Sequence, residues 1–387
     1  MIGMSAVIFI PDDTAKTGYP QPLMLQSVMG APLLAWLANA LFDSGVGRFF
    51  LVCHDRYVEA ARACLPAEAE VMTTMDSDPA DLLHVFLSTA EDAEHTITVV
   101  TGPAVYLPQL APQAAGRFPR VYGVSREELM QALDEHFSFA RFLLDNGSPM
   151  NEEQAMYSVA SPAELPEIAG LLQRNRLLAL ARTGVEIYDA SSCYVEPSVR
   201  VAPGARLLPG TMLRGKTVIG EEAVIGPWSV IDDSVIGARA VVNASQVRES
   251  RVGQEAVVGP YASVRGGCEL GRSVRAGSFV ELKNARLGEN TQVPHLAYLG
   301  DTEAGANCNF GCGVTTANFD RVQKHETVVG EGAFIGCNTA LIAPLQVGSG
   351  AYIGAGSTIT EDVPAQALGI ARARQSNKKE WAAKHKK

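Results

Sequence analysis

Ile219-Gly220-Glu221-Glu222-Ala223-Val224-Ile225-Gly226-Pro227-Trp228-Ser229-Val230-Ile231 sets an aliphatic residue at every sixth position. The same step runs back through Leu213 and Leu207 to Val201. After some five-residue steps it resumes at Val252, Val258, Val264 and Leu270, and again at Val329, Ile335, Leu341, Val347, Ile353 and Ile359. A period of six sustained from about residue 195 is the mark of a hexapeptide β-helix, in which each short strand turns one aliphatic side chain inward. Gly often follows, as in Ile219-Gly220, Ile225-Gly226, Val258-Gly259, Val329-Gly330 and Ile353-Gly354. This points to corners where a missing Cβ is useful. A β-sandwich would instead alternate with period two and turn roughly every 8–12 residues.

The first 150 residues or so have another rhythm. Ala6-Val7-Ile8-Phe9-Ile10 reads as a buried strand, Leu33 to Ser44 as a helix ending at Gly45, and Arg48–Cys53 and Thr96–Val100 as further strands. This order predicts an α/β domain, Rossmann-like, with a parallel sheet under covering helices. Asp145-Asn146-Gly147-Ser148-Pro149 reads as a turn-rich break. A Leu-rich helix over 163–183, stopped by Gly184, links the halves. The reading divides the chain into 1–160, a linker at 161–184, and a β-helical domain with its tail at 185–387.

The bulk numbers bound the function. The 387 residues carry a net charge of −10 and include 36 glycines and seven scattered cysteines. An acidic balance argues against a nucleic-acid surface, which needs a basic face. A small phosphorylated substrate needs only a few local cations. The apolar start is too short for a membrane span or signal core and runs into Pro11-Asp12-Asp13. Cysteines without a Cys-x-x-Cys pair read as reduced thiols of a cytoplasmic protein, although Cys308 and Cys312 lie close.

The six-residue register loosens between about Phe310 and Val329, and Asn318-Phe319-Asp320-Arg321-Val322-Gln323-Lys324 reads as an excursion from the column. Insertions on one face of a solenoid are where binding sits. Near it in sequence are Lys283, His295, Tyr298, Asn309, Asn318 and Lys324. A coil of about 18 residues stacks Arg265, Lys283 and Asp301 loosely on one edge. A titratable base, amides and cations together suit an anionic substrate that carries a nucleophile.

From about residue 184 onward the chain resembles the acetyltransferase domain of the bifunctional N-acetylglucosamine-1-phosphate uridylyltransferase/glucosamine-1-phosphate N-acetyltransferase family. Pro260-Tyr261-Ala262-Ser263-Val264-Arg265, Phe279-Val280-Glu281-Leu282-Lys283, and Pro294-His295-Leu296-Ala297-Tyr298-Leu299-Gly300-Asp301 carry the resemblance. So do Asn307-Cys308-Asn309-Phe310-Gly311, Thr315-Thr316-Ala317-Asn318-Phe319-Asp320 and Ala371-Arg372-Ala373-Arg374-Gln375. The resemblance implies a left-handed coil, a homotrimer and transfer of acetyl from acetyl-CoA to an amino-sugar phosphate, without a metal. It assigns the general base to His295. The sugar-phosphate contacts fall on Arg265, Lys283, Tyr298, Asn309 and Lys324, and the acetyl-CoA contacts on Asn318, Phe319, Cys337, Ala355 and Arg372. Phe319 stands where the family has Tyr, and Gly266-Gly267 where it has Pro-Gly.

The family's N-terminal nucleotidyltransferase domain is matched in pattern but not in chemistry. Pro11-Asp12-Asp13-Thr14-Ala15-Lys16-Thr17 replaces the Gly-rich nucleotide loop, and a loop without glycines brings fewer backbone N–H groups to a triphosphate. Val100-Thr101-Gly102-Pro103 lacks the metal-binding Asp, and Val159-Ala160-Ser161 lacks the second metal ligand, an Asn. The expectation is a truncated, catalytically silent domain, with Asp12, Asp13 and Lys16 open as a different phosphate site. Two rivals stay open: a bifunctional enzyme with a divergent uridylyl site, and a non-catalytic scaffold that binds sugar nucleotide.

Overall fold

The computed structural model describes residues 4–74, 79–89, 95–110, 120–134, 139–150 and 155–385. The chain divides into two compact units, one of 1–200 with 213–216, the other of 201–212 with 217–387.

In the first unit a six-stranded sheet contains β1 (Met4–Ile10), β2 (Val46–Cys53), β3 (Glu70–Thr74), β4 (Thr96–Val100), β5 (Val121–Ser125) and β6 (Ser148–Met150), in the order β3-β2-β1-β4-β5-β6. The apolar run of β1 is continuous because both of its faces are covered. Ala6, Ile8 and Ile10 join a core with Leu33, Leu34 and Leu37 of helix α1 (Leu33–Asp43). Val7 joins Phe50, Ile97 and Val99 on the other face, with Leu83 and Phe86 of α2 (Ala80–Ser88). β1, β2, β3 and β4 pair in parallel, as the helical spacing between them predicts, but β5 and β6 are antiparallel additions at one edge. The expected break at 145–149 is therefore corrected. Asp145 and Asn146 finish the helix Phe139–Asn146, and Ser148–Met150 pairs with Val121–Gly123. Pro149 is tolerated there because the strand lies at the edge. The linker helix α3 runs Leu165–Arg182, and Gly184 follows it at φ 91°.

The second unit is a left-handed β-helix with three faces. The first stacks Arg206–Leu207, Val224–Ile225, Val241–Val242, Val257–Val258, Arg275–Ser278, Gln292–His295, Asn309–Phe310, Phe334–Ile335 and Tyr352–Ile353, all parallel. The second stacks strands such as Ser263–Arg265 on Glu281–Leu287 on Tyr298–Ala304, whose later residues turn into the third face. Each face feeds one residue per coil into the interior. Ile225, Val242, Val258, Ile231, Val247, Val264, Ile219, Ile236 and Val252 are all within 2% of complete burial. The six-residue period thus marks the inward positions, although Val201 itself is only half-buried.

Of the glycines after these positions, Gly226 and Gly259 turn corners as expected, at φ 108° and 102°, but the set on another corner has a different role. Gly220, Gly237, Gly253, Gly271, Gly288, Gly305, Gly330 and Gly348 have no positive φ. A Cβ on Gly220 would instead lie 2.6 Å from Ala238 N of the next coil, and one on Gly237 2.6 Å from Gln254 N. These residues form a ladder that lets one coil settle on another. The corners are turned by left-handed residues of almost any type: Glu222, Arg239, Glu255, Ser273, Asn290 and Asn307 at one, Trp228, Ala244, Tyr261, Phe279 and Leu296 at the next, and Asp233, Glu249, Asn284 and Asp301 at the third. The glycine ladder climbs by nearly equal steps from Gly220 to Gly305, then jumps to Gly330 because the chain leaves the column between them.

A Cβ on Gly253 would meet the backbone of Gly271 at 2.6 Å. Gly253→Ala is expected to cost about 1–3 kcal/mol by overpacking, read as a lower Tm of the β-helical transition. Gly170→Ala, on α3 with nothing near its Cβ, is expected to gain up to about 1 kcal/mol from helix propensity. An unchanged Tm for Gly253→Ala would refute the stacking role.

Candidate active site

The excursion is a small hairpin tied around one carboxylate. Val322 N and Gln323 N donate to Asp320 Oδ1 at 2.7 and 2.8 Å, and His325 Nε2 lies 2.7 Å from Asp320 Oδ2. His325 N donates to Asn318 O at 2.8 Å, and Phe319 and Lys324 form an antiparallel bridge. The Gln323 amide, then His325 and the Val322 amide, hold the Asp320 carboxyl well below the usual carboxylate range. The hairpin presents Phe319, Val322 and Lys324 to solvent.

Its base stands on the corner that Asp301 turns. Buried Asn318 donates Nδ2 to Asp301 Oδ2, while Asn284 Nδ2 donates to Asp301 Oδ1 at 2.7 Å. Arg265 pairs in register with Lys283 as expected, and Lys283 in turn with Gly300. Asp301 therefore sits over Asn284 rather than over Lys283, because the coil from Lys283 to Gly300 is shorter than the one from Arg265 to Lys283. A Cβ on Gly300 would meet Asn318 Nδ2 at 2.7 Å and the Tyr298 hydroxyl closer still, so only glycine allows these groups to converge. The neighbouring Lys324 ammonium is the main cause that lowers the Lys283 pKa; Arg265 adds to the repulsion and Asp301 opposes it. Arg265 is itself ion-paired with Glu281. This corner thus gathers Arg265, Lys283, Tyr298, Asn318 and Lys324, with Phe319 beside it.

Other expected residues form a second group. Ser278 and His295 pair in register, and the same place on the next coils is taken by Cys312, Cys337 and Ala355. His295, Cys337 and Ala355 are exposed, and Cys312 is half-buried. Ala371 N donates to Ser357 Oγ and Thr358 N to Ala371 O, both at 3.1 Å, which ties the segment before exposed Arg372 just past Ala355. This column lies where the first face ends, at the corner turned by Leu296. The cations lie across the second face, at its other edge. Asn309 joins neither group: it opens the first face, between Gln292 and Phe334. The sequence reading misses Cys312. Its signal is its place one coil from His295, visible only once the unequal lengths of the successive coils are known.

In the first unit, the loop after β1 is tied by its own groups and by Arg56. Thr14 Oγ1 donates to Asp12 Oδ1 at 2.7 Å, Arg56 pairs with the other oxygen, and Leu23 N donates to Asp13 Oδ1 at 2.9 Å. Both carboxylates are committed to the loop, and Lys16 is exposed beside them. At the end of β4, Thr101 N donates to Arg120 O at 2.8 Å, and a Cβ on Gly102 would lie 2.5 Å from Arg120 Nη1. A cation thus stands where a metal-binding carboxylate was sought. Among the described residues no three His, Cys, Asp or Glu side chains are grouped to hold a metal, and no helix is long and apolar enough to cross a membrane.

The family described as bacterial transferase hexapeptide (six repeats) matches residues 326–361. The bifunctional protein GlmU of Brevibacillus brevis is 44% identical over 221 residues, which is 57% of this chain and 48% of the relative. That of Caldicellulosiruptor saccharolyticus is 48% identical over 203 residues, 52% of this chain and 44% of the relative. Among solved structures, the UDP-N-acetylglucosamine acyltransferase of Francisella novicida overlaps 48% of this chain and 66% of its own, at 18% identity and a TM-score of 0.30, too low to carry an argument. The chain spans about half the length of the curated relatives it matches. Together with the repeat and its corner clusters, that match makes the chain GlmU-like, with a hexapeptide β-helix as its well-matched part.

Proposed function

We propose that the protein is an acyltransferase that moves acetyl from acetyl-CoA to the amino group of glucosamine-1-phosphate or a close amino-sugar phosphate. The observation that carries this is the convergence of Lys283, Lys324 and Arg265 with the Tyr298 hydroxyl and Asn318 at the excursion. Crowded cations repel one another, and a phosphate dianion relieves that repulsion while accepting their hydrogen bonds. The similarity to GlmU proteins supports the reaction class. In this reading His295 takes a proton from the substrate ammonium, since only the free amine is a nucleophile. The amine attacks the thioester carbonyl, backbone N–H groups stabilise the oxyanion, and the C–S bond breaks to release the CoA thiol. By the family resemblance, Asn318, Phe319, Cys337, Ala355 and Arg372 hold the cofactor, Asn309 contacts the sugar although it lies in neither cluster of one chain, and the step needs no metal. His295→Ala is expected to lower acetyl transfer about 10²–10⁴-fold with circular dichroism unchanged; unaltered turnover would remove His295 from the role.

The same reading makes the protein a cytoplasmic homotrimer with shared sites. Two observations support it. The base column and the cations stand at opposite edges of one face of a chain. The corner beside the base also exposes Trp228, Tyr261, Phe279 and Leu296, each at least 59% accessible, with Tyr261 and Phe279 stacked at 5.4 Å. A closed three-fold ring buries such a ridge without forming filaments. Sedimentation should give about three times the 41.1 kDa chain mass. Mixing inactive His295→Ala chains with inactive Lys283→Ala chains, refolded together, should restore part of the activity. A fully active monomer would refute shared sites.

We also infer that the first unit does not transfer uridylyl groups. Committed carboxylates at Asp12 and Asp13 and the Arg120 guanidinium over Gly102 support this. Pyrophosphate release from UTP and N-acetylglucosamine-1-phosphate in Mg²⁺ is expected at background; a signal that Arg120→Ala or Asp12→Ala abolishes would overturn it.

A further inference from the structure

Seven cysteines fall into two classes. Cys53, Cys64, Cys193, Cys268 and Cys308 are buried; Cys312 is half-buried and Cys337 exposed, and all are free thiols. The last two stand on consecutive coils in the same place. Asn309 and Phe310 pair with Phe334 and Ile335, and Asn338 N donates to Cys312 O at 2.7 Å. Cys337 is therefore directly over Cys312. Paired strands lie about 4.8 Å apart, inside the Cα separation of about 4.4–6.8 Å that a disulfide spans. The Cys337 side chain is folded back toward the lower coil, for its Sγ lies 2.9 Å from where a Cβ on Gly311 would be. Burial sets the other five thiols apart: all are buried, and desolvation raises the pKa of Cys53, Cys64, Cys268 and Cys308.

We propose that Cys312 and Cys337 form a dithiol site that exchanges with a low-molecular-weight disulfide, and that the disulfide it takes is that of coenzyme A. The pairing of the thiols needs only the register of two coils. The choice of ligand rests on the acetyl-CoA reading above, because the same column holds His295 below and Ala355 above. Exposed Cys337, as thiolate, attacks one sulfur of the coenzyme A disulfide; the S–S bond breaks, a mixed disulfide forms, and one coenzyme A thiolate leaves and takes up a proton. The Cys312 thiolate then attacks the Cys337 sulfur and expels the second coenzyme A as a thiol. The two cysteines are oxidised by two electrons and one coenzyme A disulfide is reduced to two thiols. A bridge at this point starts one coil above His295.

The reduced full-length protein is incubated with coenzyme A disulfide or glutathione disulfide, free thiols are alkylated, and peptides are mapped by mass. Expected are a linked peptide pair containing Cys312 and Cys337, two coenzyme A thiols released per chain, reversal by dithiothreitol, and faster linkage with coenzyme A disulfide than with glutathione disulfide. Cys312→Ser should stop after one release, with coenzyme A held on Cys337. Phenylarsine oxide, which bridges neighbouring thiols, should bind the untreated wild type once and protect both residues from alkylation, a readout that needs no variant. Wild type that retains a stable adduct on Cys337 while Cys312 stays alkylatable would overturn the dithiol. Equal rates with the two disulfides would overturn coenzyme A as the ligand. Linkage in a chain that transfers no acetyl leaves the dithiol standing and sinks the acetyltransferase reading; acetyl transfer without linkage does the reverse.

Discussion

The structure depends on one constraint: each coil of the β-helix must lie against the next at strand spacing, about 4.8 Å. Everything that touches the interior or the corners follows from it. Aliphatic side chains stack on their own kind, as Ile225 on Val242 on Val258, because the same inward place recurs once per coil. Glycine is held at Gly220, Gly237 and Gly253 because the backbone above leaves no room for a methyl group. Outside, charges meet at the same period: Arg239 and Arg272 both reach Glu255, at 2.8 and 3.0 Å. Exposed pairs of this kind add little stability, so the hydrophobic column and the backbone ladder carry the fold.

The same constraint explains why the candidate site's cations gather where the column is interrupted. A perfectly regular coil offers flat faces and convex corners, which make poor pockets. Between Gly305 and Gly330 the chain runs for a stretch outside the column, and the interior changes there too. Thr316 takes the inward place that Leu299 holds below and Leu341 above. Its hydroxyl accepts from Gly300 N at 2.8 Å and donates to Gly300 O at 3.1 Å. A buried hydroxyl is tolerated only with such partners. It fixes the backbone of Gly300, over which Tyr298 and Asn318 meet. Asp320 then ties the hairpin above, so Lys324 is held opposite Lys283 against their mutual repulsion.

The repeat was legible in the sequence because burial selects the same residue class at every sixth position. The Leu-rich helix and the early strands were legible for the same reason. The corners were not, since left-handed backbone was carried there by residues as different as Glu222, Trp228 and Asn290, imposed by the coil instead of by local preference. Partners across coils were only half legible. Coils of constant length put Asp301 over Lys283, but the shorter coil after Lys283 delivers it to Asn284, and a slip of this kind changes every pairing that follows. Cys312 was hidden by the same arithmetic, because the excursion lies between it and Cys337. The edge strand Ser148–Met150 was hidden in a turn-rich stretch, where Gly and Pro suit an edge strand as well as a loop.

The separation of the two clusters also bears on how the chain would work. On one chain, His295 ends the first face and Lys283 ends the second, with Tyr298 and Leu299 between them. A solenoid cannot bend a face inward to close this gap, because its backbone ladder is continuous on all sides. In the proposed shared-site trimer, a second surface would bring the base to the cations of its neighbour. The ridge of Trp228, Tyr261, Phe279 and Leu296 runs along the corner that carries His295, so apolar contact there would deliver the base column along with it. In that proposal, assembly and catalysis would be the same event. A change that flattens the ridge should weaken both in proportion, whereas a change at Lys283 should leave assembly alone.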